Sequence, residues 1–394
     1  MTNPDPPFTK IEYDRRIRLT RQAMNEQEVE VLFITDPSNQ AWLTGYDGWS
    51  FYVHQGVILG LEGDPVWWGR TMDANGAHRT VWMDAESILA YADHYVMSAT
   101  HHPMTDLADH LVRLGYATSR IGVEMENYYY SAKAHQVLTS CLQGAVFKDA
   151  TALVNWQRVV KSEEEIGFMR RAASIAEEVV MTAIDEAQPG KPKNELVGDI
   201  LKAAAYGVDG AWGDYPAIVP MVPSGIDASA AHLTWNGDPM KCGQATFFEL
   251  AGCYRRYHAP LCRTVFLGHP PKSMTNASAA LACGIEAGID IARAGNRASD
   301  IAYALHQELS KAGIDRTGRC GYSIGLSYPP DWGERTISLR PEDQTILEPG
   351  MTLHFMPGLW MDDWGIEITE PILIKPEGPA EAFCSIERKL FIKQ

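Results

Sequence analysis

The chain has 394 residues, 45% of them hydrophobic and 21% charged, which is typical of a globular protein with one large or two medium domains. Its net charge of −16 excludes nucleic acid as an expected partner, because no surplus of lysine and arginine is available to neutralise phosphates. No apolar run approaches the roughly 20 residues of a membrane-spanning helix, and the first residues lack the pattern of a signal peptide. We therefore expect a cytoplasmic protein with no membrane partner.

Cysteine usage supports this expectation. The number of cysteines is odd, at seven, and no CxxC pair occurs. Neither a disulfide framework nor a structural zinc site is expected from such a pattern. Reduced and mostly buried thiols are predicted instead.

The N-terminal part alternates predicted helices and strands. A helix is predicted over residues 10–28, and Glu28–Asp36 has the pattern of a short apolar strand that ends in the turn DPSN. Residues 41–69 have the pattern of alternating strands broken by glycines. Helix-like stretches follow at 74–86 and 103–115. This order predicts a small α/β domain over residues 1–155.

A long helix is predicted to open the remaining part. Ser162 and Glu165 have the spacing of a capping box, and small or apolar residues then recur every three or four positions up to Gln188. The further elements expected are a helix at 194–206, strands at 216–222 and 245–267, helices at 274–294 and 298–312, and strands from 319 onwards. This pattern predicts a second domain over residues 156–394 and an α/β (α+β) protein overall.

Seven short segments of this second part carry a resemblance. They are RVVKSEEEIGFMRRAA, QPGKPKNEL, AAHLTW, FELAG followed by CRT, GYSIGL, LEPGMTLHFMPGLW and GIEITEPILI. In this order they resemble the pita-bread family of methionine aminopeptidases, Xaa-Pro peptidases and creatinase. The resemblance implies a C-terminal pita-bread catalytic domain. NQAWLTGYDG in the first part is similar to the small N-terminal domain of creatinase and the prolidases.

The resemblance also implies where a metal site would lie. Metallopeptidase members hold two metal ions with two Asp, one His and two Glu. The corresponding positions of this chain are Glu249, Pro260, Tyr322, Met356 and Thr369, with Glu367 and Glu370 beside the last. Proline and methionine cannot supply the carboxylate or imidazole donors that such ions need. We therefore expect neither a metal nor any other cofactor.

The metal-free branch of the family supplies the expected roles. Creatinase lacks metal, transfers protons with a histidine at the position of His232, and holds a cationic substrate with a glutamate at the position of Glu249. The resemblance thus implies a metal-independent hydrolase of a non-peptide C–N bond, with Glu249 as nucleophile or general base and His232 as proton shuttle. Within this branch, the stretches at 36–55 and 64–77 are similar to members that open a small cyclic amidine.

A cyclic amidine of this kind is a flat cation that also carries a carboxylate. Its binding site needs a protein carboxylate against the cation, an apolar wall against the ring, and a hydrogen-bond donor for the carboxylate of the substrate. Phe247 shares a strand face with Glu249, since side chains alternate along a strand. The further residues expected to bind substrate are Tyr322, Met356, Trp360, Glu367 and Glu370. Creatinase-like dimers also imply a homodimer in which Trp49 and Tyr52 reach the partner's site.

Other interpretations remain open. His232 and Tyr322 could have structural roles only, and the aromatic cluster at 49–52 could belong to a core. The chain could instead be a creatinase-type amidinohydrolase for another guanidine or amidine, or an inactive pita-bread protein that serves as a binding module. The pair of His232 and Glu249 argues against an inactive protein, because a binding module has no need of a proton shuttle.

Overall fold

The computed structural model describes residues 6–316 and 318–394. The first five residues, which belong to the expected N-terminal domain and to the stretch without a signal-peptide pattern, lie outside the described residues. The chain divides between Arg158 and Val159 into two compact units. Within the described ranges, no helix is long and apolar enough to cross a membrane.

The first unit is a mixed sheet with helices on both faces. Its helices are α1 (Lys10–Glu26), α2 (Pro37–Thr44), α3 (Thr71–Thr80), α4 (Pro103–Arg113), α5 (Ala132–Cys141) and α6 (Leu153–Arg158). Its strands are β1 (Val31–Ile34), β2 (Gly56–Gly60), β3 (Val66–Arg70), β4 (Ile88–Tyr91), β5 (Arg120–Val123) and β6 (Val146–Asp149). The strand order is β4-β3-β2-β1-β5-β6, with β2 antiparallel to both of its neighbours.

Helix α2 corrects the prediction of a turn followed by strands. The Asp36 carboxylate accepts the Ser38 N–H at 2.7 Å, and Pro37 occupies the first turn, where its missing N–H costs nothing. Gly45 ends the helix with φ at 79°. All eight residues of α2 are buried. Because the helix has no solvent face, it lacks the apolar periodicity that sequence reasoning depends on.

The second unit repeats an order of two helices followed by strands. Its helices are α7 (Glu163–Glu186), α8 (Lys193–Tyr206), α9 (Lys272–Ile291) and α10 (Ala298–Lys311). Its strands are β7 (Gln244–Tyr254), β8 (Tyr257–Leu267), β9 (Gly321–Ile324), β10 (Gly333–Ser338), β11 (Thr352–Phe355), β12 (Gly358–Trp360), β13 (Gly365–Glu367), β14 (Glu370–Leu373), β15 (Glu381–Ala382) and β16 (Leu390–Lys393). They form the sheets β10-β9-β11-β14-β15, β12-β13 and β16-β8-β7.

Helix α7 determines which face of the β7–β8 hairpin remains for a site. The capping box of Ser162 and Glu165 is present, as predicted. Helix α7 approaches the hairpin so closely that a Cβ on Gly252 would lie 2.0 Å from the Ala172 carbonyl oxygen. Phe248 and Leu250 pack into the core beneath α7. The alternate residues of β7 therefore point to the opposite face.

The strand predicted at 216–222 is wrong. Only Met221 pairs there, through an isolated bridge in which its backbone exchanges two 3.2 Å hydrogen bonds with Glu249. Pro216, Pro220 and Pro223 interrupt the segment. Proline lacks the N–H that a continuous ladder requires. The segment therefore lies along β7 without becoming a full strand.

Candidate active site

The β7–β8 hairpin positions the central carboxylate. Its two-residue turn, Arg255-Arg256, has φ of 47° and 66°, the left-handed geometry that matches the twist of a tight hairpin. The resulting register places Glu249 opposite Cys262 and Phe247 opposite Thr264. Phe247 and Cys262 belong to one apolar cluster, separate from the core under α7. Glu249 thus lies on a buried apolar strand face.

Glu367 comes from strand β13, beside β8. The hydroxyl of Thr264 donates to the Glu367 carbonyl oxygen at 2.9 Å and accepts the Glu367 N–H at 3.0 Å. The thiol of Cys262 donates to the same carbonyl oxygen at 3.6 Å. These three contacts fix the backbone of Glu367 next to the hairpin. Neither carboxyl oxygen of Glu367 has a hydrogen-bond partner among the described residues.

The two carboxyl groups share a low-dielectric environment. Glu249 is 6% exposed and Glu367 is 1% exposed. Burial, followed by the negative charge of Glu367, raises the pKa of Glu249 well above its ordinary range. Burial likewise raises the pKa of Glu367 to about 7, against smaller opposing effects from Cys262 and Arg316. At neutral pH the pair therefore holds at least one proton.

Burial also keeps the neighbouring thiol neutral. It raises the pKa of Cys262 well above its ordinary value, and the charges of Glu367 and Glu249 add to this shift. None of the seven cysteines forms a disulfide within the described residues, and Cys253, Cys262, Cys320 and Cys384 are buried. The thiol of Cys262 serves here as a weak hydrogen-bond donor and as part of the apolar wall.

Tyr322 interacts electrostatically with both carboxyl groups of the pair. Its hydroxyl accepts the Trp332 indole N–H at 2.8 Å and lies 3.2 Å from Nδ1 of His354. Burial and then the charge of Glu249 raise the pKa of Tyr322, so the phenol stays neutral. Nε2 of His354 is buried and has no hydrogen-bond partner among the described residues, and burial lowers the pKa of His354 to about 3. The hydroxyl is thus a fixed, neutral group next to Glu249.

An apolar wall closes one side of the site. Phe247, Met221, Ala228 and Cys262 form it, with the half-buried Ile218 and Trp360 packed against them. The wall requires Gly365, because a Cβ there would lie 1.8 Å from the carbonyl oxygen of Ala228. Met356 is half-buried between β11 and β12, where its N–H donates to the Cys320 carbonyl at 2.7 Å.

Two predicted site residues are not brought into this cluster. Glu370 is fully buried and forms ion pairs with Arg263 and Arg388, so the expectation that it binds substrate does not fit its position. His232 lies in an exposed turn after the short helix Gly225–Ser229. It has no hydrogen bond or ion pair with Glu249 within the described part of the chain.

The aromatic residues predicted at a dimer contact belong to the first unit. Trp49 is 59% exposed and Tyr52 is 60% exposed, so they are not core residues. The ring of Trp49 packs on Phe51 with the centroids 4.7 Å apart. Tyr52 lines a cavity of about 200 Å³ together with His54, Tyr91, Tyr95 and His102.

The donor atoms do not fit the dinuclear metal site that the family resemblance would place here. Thr369 uses its hydroxyl to accept the Cys262 N–H at 2.8 Å, and Pro260 and Met356 offer no side-chain oxygen or imidazole nitrogen. No group of three or more His, Cys, Asp or Glu side chains is arranged to hold a metal ion in residues 6–316 and 318–394. The two remaining carboxylates, Glu249 and Glu367, are too few to hold two hard dications.

Several residues of the site were not predicted from the sequence, and three of them contact Glu367 or Tyr322. They are Cys262, Trp332 and His354. His354 could have been inferred, because it lies two positions before Met356 in a predicted strand and so shares its face. Trp332 follows β9 through a loop, and no local pattern indicates that its indole reaches Tyr322.

Models of two protein families match the chain. The metallopeptidase family M24 matches residues 167–376, and the creatinase/prolidase N-terminal domain matches residues 16–160. The chain belongs to the metallopeptidase family M24, with a creatinase-type N-terminal domain and a C-terminal pita-bread domain. The fold expected from the sequence is confirmed.

Individual relatives cover the whole length. The ectoine hydrolase of Halomonas elongata is 54% identical, with 98% of each chain covered. An uncharacterized hydrolase/peptidase of Sinorhizobium fredii is 37% identical, again over 98% of each chain. Among solved structures, the prolidase of Thermococcus sibiricus superimposes with a TM-score of 0.84 at 17% identity, covering 98% of this chain and 100% of its own. That last likeness concerns the fold alone.

Proposed function

We propose that this chain hydrolyses ectoine, opening its cyclic amidine to give N-acetyl-2,4-diaminobutyrate. Ectoine has a six-membered ring that carries an amidinium cation, a carboxylate and a methyl group on C2. The observation that carries the proposal is the pair of buried carboxyl groups, Glu249 and Glu367, on an otherwise apolar face. The full-length identity of 54% to the ectoine hydrolase of Halomonas elongata supports it. Ectoine and its hydroxylated form both satisfy this chemistry.

The site is suited to a flat organic cation. Two like charges at low dielectric repel each other, and an amidinium placed between them relieves that repulsion. Binding of the cation also lowers the pKa of both carboxyl groups, so that the substrate itself ionises Glu249. Phe247, Trp360 and Met356 cover the ring and its methyl group. Tyr322 directs a neutral hydroxyl to the rim, where it can donate to a ring substituent.

Two reaction routes use the ionised Glu249. In the covalent route, a carboxylate oxygen adds to C2 and the electrons of the C2=N bond move to nitrogen. Protonation of one ring nitrogen then lets its bond to C2 break, which leaves an ester-like adduct on Glu249. Water cleaves the C2–oxygen bond of the adduct to release the acetamide product. In the second route, Glu249 acts as a general base that deprotonates a water molecule attacking C2 directly.

The proton for the departing nitrogen is assigned to His232. The assignment follows from creatinase-type chemistry, and the exposed turn at 231–232 leaves the imidazole in exchange with solvent. We expect His232→Ala to lower kcat by about 100-fold, the lower end of the range for a lost general acid. Folding should be unaffected, because the side chain is exposed. Steady-state kinetics with His232→Gln as the second variant measures this, and an unchanged kcat in both would remove His232 from the mechanism.

The proposed reaction needs no metal. The purified protein should be incubated with ectoine, creatine or a Xaa-Pro dipeptide, with and without a strong chelator, and the products separated. We expect ectoine alone to be consumed, at the same rate in both samples. Cleavage of the dipeptide, or loss of activity that added Mn²⁺, Co²⁺ or Zn²⁺ restores, would contradict the proposal. Turnover of creatine in place of ectoine would indicate a creatinase-type amidinohydrolase. No turnover of any of the three compounds would favour an inactive protein that serves as a binding module.

We also propose a homodimer in which Trp49 and Tyr52 of one protomer complete the partner's site, as creatinase-type dimers do. Their exposure of more than half is consistent with an interface role. Tyr52→Ala and Glu249→Gln should each be inactive as homodimers. Co-expressed with different tags, the mixed dimer should recover activity in one of its two sites, since one site receives both native residues. A mixed dimer as inactive as its parents would contradict the arrangement.

A further inference from the structure

Ectoine is a zwitterion, and its carboxylate needs a partner of opposite charge. On the basis of the proposed function, Glu249 and Glu367 account for the amidinium only. A buried carboxylate without a donor would lose much of its solvation. The site should therefore contain a cation that is close to the carboxyl pair and is not already neutralised by it.

Arg316 has these properties. It follows α10 and precedes β9, and its guanidinium carbon lies 5.6 Å from the centroid of the Trp360 ring. Nη2 donates to the carbonyl oxygen of Arg319 at 3.1 Å, which fixes the orientation of the group. Nη1 is buried and has no hydrogen-bond partner in the described residues. The remaining N–H groups of Arg316 therefore lie beside Trp360, and no carboxylate of the described residues is bound to them.

The electrostatics agree with this geometry. Burial lowers the pKa of Arg316, while the negative charge of Glu367 partly opposes that shift. The charge of Arg316 in turn lowers the pKa of Glu367. Arg316 and Glu367 therefore interact electrostatically across the site, although the described residues include no ion pair between them within 4.0 Å. A cation and an anion held apart on the same face match the charge separation of a zwitterionic ring.

The neighbouring arginines either form hydrogen bonds and ion pairs with other groups or are exposed. Arg263 donates to the carbonyl oxygens of Cys262, Thr369, Ile386 and Glu387 and also pairs with Glu370. Arg388 pairs with the same glutamate. Arg319 is exposed, with its guanidinium 4.7 Å from the Tyr322 ring centroid. Of these four arginines, only Arg316 combines a buried N–H that has no partner among the described residues with contact to the wall of this site.

We propose that Arg316 binds the carboxylate of the substrate. With Trp360 beneath the ring, this contact orients the amidine so that C2 faces Glu249. It also gives the enzyme a means of discrimination, because cyclic amidines without a carboxylate lose this charge-assisted hydrogen bond. The specificity for a zwitterion would then reside in one side chain outside the carboxyl pair.

The test compares ectoine with the same ring lacking its carboxylate, 2-methyltetrahydropyrimidine. In Arg316→Met, kcat/KM for ectoine should fall about 100-fold, as expected when one partner of a buried charge pair is removed. The inhibition constant of the carboxylate-free ring should change less than about 3-fold, because that ring never used Arg316. Arg316→Lys should recover part of the loss, since the charge returns without the planar fork.

Arg319→Met is the matched control from the same loop, and its effect on ectoine should be small. If Arg316→Met weakened both compounds equally, or if Arg319→Met showed the selective loss, the assignment of Arg316 would be wrong while the proposed function would stand. If the wild-type protein hydrolysed no ectoine, the proposed function would be wrong and this inference with it.

Discussion

Glu249→Gln should abolish turnover of ectoine, with kcat lowered about 10⁴-fold or more, as when a nucleophile is removed from an enzyme. The substitution keeps the shape of the side chain and removes both the charge and the attacking oxygen. Substrate binding should weaken as well, because Glu367 is then the sole carboxylate facing the amidinium. Product formation over hours, followed by chromatography at high enzyme concentration, measures the residual rate.

Glu249→Asp should also fail, for a reason of distance. Deleting one methylene withdraws the carboxylate from C2 by about the length of a C–C bond, and a misplacement of roughly 1 Å costs about 100-fold. A rapid-quench sample of the wild-type protein with substrate should show a mass increase on the peptide that carries Glu249. An inactive Gln variant without any such adduct would favour the general-base route over the covalent one.

The melting temperature of Glu249→Gln provides a control for correct folding. Because Glu249 and Glu367 are two buried carboxyl groups in one low-dielectric site, removing one of them relieves repulsion at alkaline pH. Glu249→Gln should therefore melt at a higher temperature than the wild-type protein at pH 8. An inactive variant that melts lower would indicate misfolding in place of a lost nucleophile. Normal turnover by Glu249→Gln would refute the mechanism outright.

Much of this fold was predictable because its long elements carry regular patterns. The capping box at Ser162 and the apolar repeat after it predicted helix α7, and alternation along β7 placed Phe247 and Glu249 on one face. Helix α2 was missed because burial on all sides removes the amphipathic signal. The false strand at 216–222 arose from an apolar composition whose prolines prevent a continuous ladder.

The site was only partly predictable, because its members come from strands that are distant in sequence. Glu367 and Glu370 looked equivalent as neighbours of one metal-ligand position. The chain leaves β13 after Glu367 and enters β14 at Glu370, which sends the first carboxyl into the site and the second to Arg263. His354 and Trp332 reach Tyr322 through pairing of β9 with β11 and through a loop. Such contacts depend on tertiary register, which a single sequence does not encode in any local pattern.

Glu367→Gln should separate the two effects of the carboxyl pair. It removes one of the two groups that hold the amidinium, so kcat/KM should fall about 1000-fold, in line with breaking a buried ion pair. It also removes the charge that, after burial, raises the pKa of Glu249. The acid limb of the pH profile of kcat/KM should therefore move to lower pH, because Glu249 then ionises more readily.

Glu367→Gln should lower kcat/KM but raise the stability of the folded protein. The pKa of Glu367 is raised from 4.5 to about 7 in the folded protein, so the folded chain holds a proton that the unfolded chain has released between these values. The free energy of unfolding of the wild type thus falls as pH rises from about 4.5 to 7. Glu367→Gln removes that loss, so its free energy of unfolding should exceed that of the wild type by about 3 kcal/mol at pH 8 and by almost nothing at pH 4.

Glu124→Gln is the matched control for these measurements. Glu124 is a buried carboxyl of the first unit, and burial followed by the charge of Asp36 raises its pKa to about 7 as well. Its replacement should alter the pH dependence of unfolding, followed by denaturant titration, without moving the acid limb of kcat/KM. An acid limb that stays in place in Glu367→Gln would show that Glu249 titrates independently. The buried pair would then be structural, and the cation-induced ionisation of Glu249 would have to be abandoned.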